Sequence, residues 1–430
     1  MKLTTELIMP NVHLTCLQTN KFKTGCLSVN LLAPLERETA SLNALIPNVL
    51  ARGTATMPDM SAIAGRLDSL YGASLTPLVR KKGEIQVIGF LADFADDAYA
   101  GDSVIDKIVA LLSEVLLMPN TSGGLLRRDY VESERDKLLE AIAGKINDKR
   151  DYATSRLFEQ MCVMEAYSVD KLGSEITAEN ITNLALTRHY HELLASAPMQ
   201  IFYCGSADPK KLRRSLISAF SAMVRKNDEP DIGTDIWMSP LEDNYRYFEE
   251  SLAVTQGKLS IGFRLGDCMD EPDIAAIRVF NGVFGGCVTS KLFMNVREKL
   301  SLAYYASSMV DLHKGIMAVA SGIEFDKYDA ALSEIFTQLE AVKNGDFTDD
   351  ELEAAKRSIA GNYRSVSDKP RALEDYYLNR MLIGPDCTPN ELALLTEEVI
   401  RESVIEIASG IKCDAIYFLR GQDVAEEEGT

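Results

Sequence analysis

Four histidines, at positions 13, 189, 191 and 313, are the whole imidazole supply of a chain of 430 residues. A catalytic zinc takes three protein ligands, commonly two histidines four apart on one helix face plus a carboxylate. None of the four is spaced that way. His189 and His191 sit two apart, which on a helix turns them to different faces, and they read as surface helix residues near a domain end. No independent histidine–zinc site is expected. Nucleophilic hydrolysis fares no better. There is no Gly-x-Ser-x-Gly elbow, and none of Cys16, Cys26, Cys162, Cys204, Cys268, Cys287, Cys387 and Cys413 stands in a context that would activate a thiolate. No two of them form a Cys-x-x-Cys pair, so they read as buried, reduced thiols of a cytosolic protein. Gly282-Val283-Phe284-Gly285-Gly286-Cys287 is glycine-rich but fits neither a dinucleotide nor a P-loop fingerprint. It is expected to end a helix and turn the chain. The carboxylate runs Asp93-x-x-Asp96-Asp97 and Asp267-x-x-Asp270-Glu271 have no histidine beside them and are expected in solvated loops and helix caps.

The charge balance narrows the partners. Asp and Glu number 64 against 45 Lys and Arg, a net of −19. Such a surface repels phosphate backbones and anionic lipid, so neither nucleic acid nor a membrane is the expected partner. Cationic substrates or partner subunits are compatible. The opening Met1-Lys2-Leu3-Thr4-Thr5-Glu6 lacks an apolar signal core, and no run approaches the roughly 18 apolar residues of a spanning helix. A cytoplasmic location follows as the expectation. With 46% hydrophobic and 25% charged residues the composition is that of a folded protein, and the length suggests two or three domains.

The elements that would position any site are written twice. Leu138-Leu139-Glu140-Ala141-Ile142-Ala143-Gly144 is echoed by Lys356-Arg357-Ser358-Ile359-Ala360-Gly361. Asp148-Lys149-Arg150 is echoed by Asp368-Lys369-Pro370-Arg371, and Ile176 to Ile181 by Leu395 to Ile400. Each half closes on an apolar run ending in glycine, Met199 to Gly205 and Ala415 to Gly421. Leu70-Tyr71-Gly72-Ala73-Ser74 lies over Ala303-Tyr304-Tyr305-Ala306-Ser307 at a larger offset, so the first half carries extra residues between Ser74 and Glu140. A duplicated fold is predicted. Its boundary is placed in the polar stretch Lys226 to Gly233, giving domains 1–225 and 240–430 joined by a linker, 226–239. Thr348-Asp349-Asp350-Glu351 is a capping box opening a helix through about Asn362, and Asp129 to Lys145 reads as the matching helix. Gly25 to Leu32, Ile85 to Leu91, Lys258 to Phe263 and Lys314 to Ser321 read as strands. Strands mixed with long helices give an α/β or α+β sandwich, repeated. The tail Ala425 to Thr430 reads as solvated and frayed.

Three signatures resemble peptidase family M16, the pitrilysin and mitochondrial-processing-peptidase family. Ala44-Leu45-Ile46-Pro47-Asn48 through Gly53-Thr54 is similar to its zinc helix, His-x-x-Glu-His followed by Gly-Thr. Thr187-Arg188-His189-Tyr190 through Ala197-Pro198-Met199 and on to Asp208 is similar to its domain-closing segment. Ser290-Lys291-Leu292-Phe293 through Val296-Arg297-Glu298-Lys299-Leu300-Ser301-Leu302-Ala303-Tyr304 is similar to its C-terminal substrate-binding element. The likeness spans nearly the whole chain. It implies two homologous pitrilysin-type domains, each a mainly antiparallel sheet flanked by helices. Where active members carry His, Glu and His, however, this chain has Ala44, Pro47 and Asn48. The distal glutamate ligand should follow the Glu of a Glu-Arg pair by seven; that pair is Glu134-Arg135, the position is Ala141, and Glu140 is out of register by one.

The resemblance therefore implies neither bound zinc nor any other cofactor, and no catalysis by this chain alone. In the two-chain branch of the family one subunit brings the zinc and a homologous partner brings an Arg/Tyr pair, which Arg297 and Tyr304 match. The implied function is a zinc-less subunit that binds a peptide substrate beside a zinc-bearing sister chain. The alternative is a non-enzymatic peptide-binding or scaffold homodimer. Leu67-Asp68-Ser69-Leu70-Tyr71-Gly72-Ala73 and Asn147-Asp148-Lys149-x-x-Tyr152-Ala153 carry a nearer likeness to small zinc-less bacterial members, a group linked with elongation factor P modification.

Overall fold

The computed structural model describes residues 1–226, 232–269, 273–383 and 387–422. The first half runs β1 (Lys2–Met9), β2 (Val12–Gln18), β3 (Thr24–Pro34), α1 (Ala40–Leu50), α2 (Met60–Ser69), β4 (Ser74–Lys82) and β5 (Ile85–Ala95). It continues with α3 (Asp97–Ala100), α4 (Val104–Leu117), β6 (Thr121–Ser122), β7 (Leu125–Leu126), α5 (Arg128–Gly144) and α6 (Lys149–Met161). α7 (Glu175–Glu179), α8 (Asn183–Ser196), β8 (Met199–Gly205) and α9 (Pro209–Ala219) complete it. The second half runs β9 (Arg246–Leu252), β10 (Gly257–Arg264), α10 (Ile274–Asn281), two π-helical segments (Gly282–Gly286 and Leu292–Lys299), β11 (Ala303–Asp311) and β12 (Ile316–Ile323). α11 (Tyr328–Lys343), α12 (Asp349–Val366), α13 (Pro370–Ile383), α14 (Pro389–Glu398), α15 (Arg401–Gly410) and β13 (Lys412–Gly421) follow.

The repeat is visible in the sheets. One has the order β1-β2-β8-β3-β5-β4, the other β9-β13-β10-β12-β11. Strand for strand these are the same order, with β1 added at one edge. The single parallel pairing falls at the same place in each, β2 with β8 and β9 with β13. Central strands β3 and β5 are buried almost end to end and carry near-continuous apolar runs. Edge strand β9 alternates instead, and Pro77 sits in edge strand β4, where a missing N–H breaks no ladder. The extra residues of the first half lie in an 11-residue β5 against 8 residues in β12, in α3, and in the β6–β7 hairpin.

The chain packs into two compact units that do not follow the contiguous division 1–225 and 240–430. The first comprises Met1–Gly144, Val169–Thr234 and Val366–Pro385; the second comprises Lys145–Ser168, Asp235–Ser365 and Asp386–Thr430. Each unit thus takes one helix from the other half of the chain. The expected boundary, Lys226 to Gly233, lies partly outside the described residues, as do the tail from 423 and Asp270 and Glu271.

In the first unit α13 lies on the sheet. Its Glu374 is fully buried and accepts from Ser28 Oγ at 2.9 Å, Asn30 Nδ2 at 3.0 Å and Arg80 Nη1 at 2.8 Å. Tyr377 stacks on Phe202, ring centroids 6.0 Å apart. In the second unit α6 is the incoming helix. Ala153, Leu157 and Met161 are buried with Ile316, Ala318, Ala415, Tyr417 and Leu419. Asp148 caps this helix through the N–H groups of Arg150 and Asp151, and Tyr152 donates to Glu250 at 2.8 Å. Just beyond it, Glu165 meets Arg264 at 2.6 Å and Lys314 at 2.7 Å, and Arg264 reaches Asp414 at 2.8 Å. A buried carboxylate on the exchanged segment pins each unit, because an ion withdrawn from water is tolerable only when its partners are in place.

Candidate functional site

Helix α1 is held from several sides. Ser41, in its first turn, donates to the Leu172 carbonyl at 3.1 Å and shares a hydrogen bond with Thr177 at 2.7 Å. The loop approaches so closely that a Cβ on Gly173 would lie 2.0 Å from Ser41 Oγ, and its φ of +74° suits glycine alone. Asn43 donates to Gln86 at 2.9 Å and accepts from His189 Nε2 at 2.6 Å. His189 is therefore no surface residue: α8 turns it onto α1, and burial lowers its pKa below the usual 6.5. Beyond the helix, Arg52 pairs with buried Glu134 of α5 at 3.0 Å and lies over the Tyr130 ring.

At the positions that matter for metal, this helix offers nothing. Ala44 is buried and ends in a methyl group, and Pro47 sits inside the helix without an N–H. Asn48 turns its amide back onto the Ala44 carbonyl at 3.2 Å. Ala141, on α5, exposes a methyl group. A zinc ion needs lone pairs from imidazole, thiolate or carboxylate, so these four residues do not fit one. Among the described residues no three His, Cys, Asp or Glu side chains converge as a metal-holding group.

The second unit carries the other element. Arg297 lies in the π-helical segment Leu292–Lys299, a wide helical turn of the kind found at functional sites. Its side chain is half exposed, its Nε 3.4 Å from Glu298, and its guanidinium lies 4.7 Å from the Phe293 ring centroid. A short turn follows, with Ser301 at φ +47° and its carbonyl held by Lys327 Nζ at 3.0 Å. The chain then enters β11. There Ala303 pairs with Ile323 and Tyr305 with Gly322, so Tyr304 is the extra residue of a β-bulge. Bulges re-aim side chains, and Tyr304 stands out 58% exposed. Its hydroxyl donates to Glu324, which follows β12. That carboxylate raises the phenol pKa, so Tyr304 stays a donor. Tyr305, on regular pairing, packs inward under Arg150 with 4.5 Å between guanidinium and ring centroid.

The remaining sequence candidates have structural work. Asp96 is buried, caps α3 and holds the Ser206 N–H at 2.8 Å, while Asp97 caps α4 through Val104 and Ile105. Gly282 to Gly286 does not simply turn the chain. It extends α10 as a π-helical segment, because its glycines let α12 and β11 approach closely: a Cβ on Gly282 would touch Ala355 at 3.1 Å and one on Gly285 would meet Ser308 at 2.6 Å. Asn43, Gln86 and Glu324 escaped the sequence reading. No local signal marks them, since each acquires its partner from an element distant in sequence.

Comparison with known proteins gives the family. Residues 180–359 match the family described as Peptidase M16 inactive domain. Over 417 residues the chain is 31% identical to the "Probable inactive metalloprotease YmfF" of Bacillus subtilis, covering 95% of each protein. The chain belongs to the peptidase M16 family. Within it, the chain is an inactive-type homologue. A shorter match, 29% identical over 142 residues (32% of this chain, 34% of the relative), is to the "Uncharacterized zinc protease YmxG" of the same organism. The crystal structure of a conserved protein from Enterococcus faecalis superposes with a TM-score of 0.89 at 28% identity, covering 98% of this chain and 99% of that one. The two-fold repeat of a helix-flanked sheet is thus the M16 architecture. No helix among the described residues is long and apolar enough to cross a membrane.

Proposed function

We propose that this chain is the non-catalytic subunit of a two-chain M16 peptidase, acting in the cytoplasm, where it binds peptide through Arg297 and Tyr304 beside a zinc-bearing sister subunit. One observation carries the reading: the metal helix is stripped of donors while Arg297 and Tyr304 keep exposed, chemically competent heads. A guanidinium and a phenol hydrogen-bond a substrate carbonyl and the oxyanion that grows at a cleaved bond. Bond breaking itself belongs to the partner. That Bacillus subtilis has both a relative called inactive and one called a zinc protease supports such a division of labour.

Affinity purification of the chain from its own cells, with mass spectrometry of what stays bound, tests this. The expected result is a near-stoichiometric homologue of similar size bearing His-x-x-Glu-His. Recovery of the chain alone, as a monomer or homodimer, overturns the reading and favours the scaffold.

A further inference from the structure

Glu324 is a half-buried carboxylate with an unusual dependence. Among the described residues it forms no ion pair, and the Tyr304 hydroxyl is its hydrogen-bond donor. Neighbouring Lys327 points its ammonium at the Ser301 carbonyl, 3.0 Å away, and Arg297 has Glu298 beside it. A phenol has one proton to donate. When Tyr304 gives it to a peptide carbonyl, Glu324 exchanges its donor for water, a modest cost at this exposed contact. A ligand that brings a cation removes that cost; a neutral or acidic one does not.

Building on the proposed peptide-binding role, we infer that Glu324 is a specificity-determining residue, selecting peptides with a lysine or arginine side chain next to the carbonyl that Tyr304 engages. The bulge at Tyr304 and the end of β12 place ring and carboxylate side by side, so one ligand residue spans both. The acidic surface as a whole attracts cations too, but that attraction is long-ranged and fades with salt. A contact at Glu324 discriminates at short range.

The test measures binding of labelled extended decapeptides, with a central lysine, norleucine or glutamate, to the full chain at 0.15 M salt. The wild type is expected to prefer lysine over norleucine by on the order of tenfold. Glu324→Gln should bring that ratio close to one, whereas Asp102→Asn, an exposed acid in the first unit, should leave it unchanged. Arg297→Ala and Tyr304→Phe should weaken all three peptides. If those two variants weaken binding but Glu324→Gln keeps the lysine preference, the assignment of Glu324 fails and the binding role stands. If neither variant weakens binding, or no peptide binds, both fail.

Discussion

At the scale of single residues, the four positions expected to correspond to metal ligands carry side chains that bind no zinc, on helices that are well packed. Ala44, Pro47, Asn48 and Ala141 sit on two packed helices whose other contacts survive, Arg52 with Glu134 among them. Wild-type chain is expected to hold no stoichiometric zinc by elemental analysis, and Ala44→His, Asn48→His and Ala141→Glu together should restore about one ion, since His at i and i+4 plus a carboxylate is a zinc set. Failure of the triple variant to bind would contradict the placement of the metal positions. His189 yields a pH prediction. Its folded pKa lies below the unfolded 6.5 because burial disfavours the imidazolium. Above 6.5 both states are neutral and the residue is indifferent to pH. Below 6.5 the unfolded chain takes up a proton that the folded chain refuses, so stability falls as pH falls. Urea midpoints at pH 7.5 and 5.5 should therefore converge in His189→Gln relative to the wild type; an identical pH dependence would contradict the buried position.

At the scale of elements, each unit is completed by its exchanged helix. Glu374→Ala removes a buried carboxylate, leaves Ser28 and Asn30 without their acceptor and leaves Arg80 with its longer contact to Asp375 at 3.5 Å, with an expected loss of about 3 kcal/mol, read from urea unfolding; a loss under about 1 kcal/mol would show that the cluster is not a buried ion pair. Much at this scale was legible. The Thr348/Glu351 box forms as spaced, with bonds of 2.7 and 3.1 Å, although α12 runs on to Val366 rather than Asn362. The four strands read from alternation are all strands; β3, β5 and β10 run a little longer than read, where burial on both faces hides the period, while the fourth begins at Ile316 because Lys314 and Gly315 lie in the turn before β12. What was not legible needed a partner from afar. His189 looks like a surface residue until α1 arrives, and nothing near Glu324 in sequence announces Tyr304, which only the β11–β12 hairpin brings beside it.

At the scale of the whole molecule, the duplication legible in the sequence describes how the chain is written, while the units are packed from pieces of both copies. A fragment ending at 225 lacks α13 and leaves Ser28, Asn30 and Arg80 without Glu374. Alone it should show no cooperative thermal transition, and mixing it with the 226–430 fragment should restore one; a fully cooperative isolated fragment would contradict the exchange. The same division of parts, extended from one chain to two, is the proposed function. Its most direct test is peptide turnover by the purified chain, by a zinc-bearing M16 homologue from the same cells, and by the two mixed. Cleavage is predicted only in the mixture, with kcat/KM falling about 10²-fold in Tyr304→Phe and at least as far in Arg297→Ala. Unchanged kcat/KM in both variants, or no cleavage in the mixture, would contradict it.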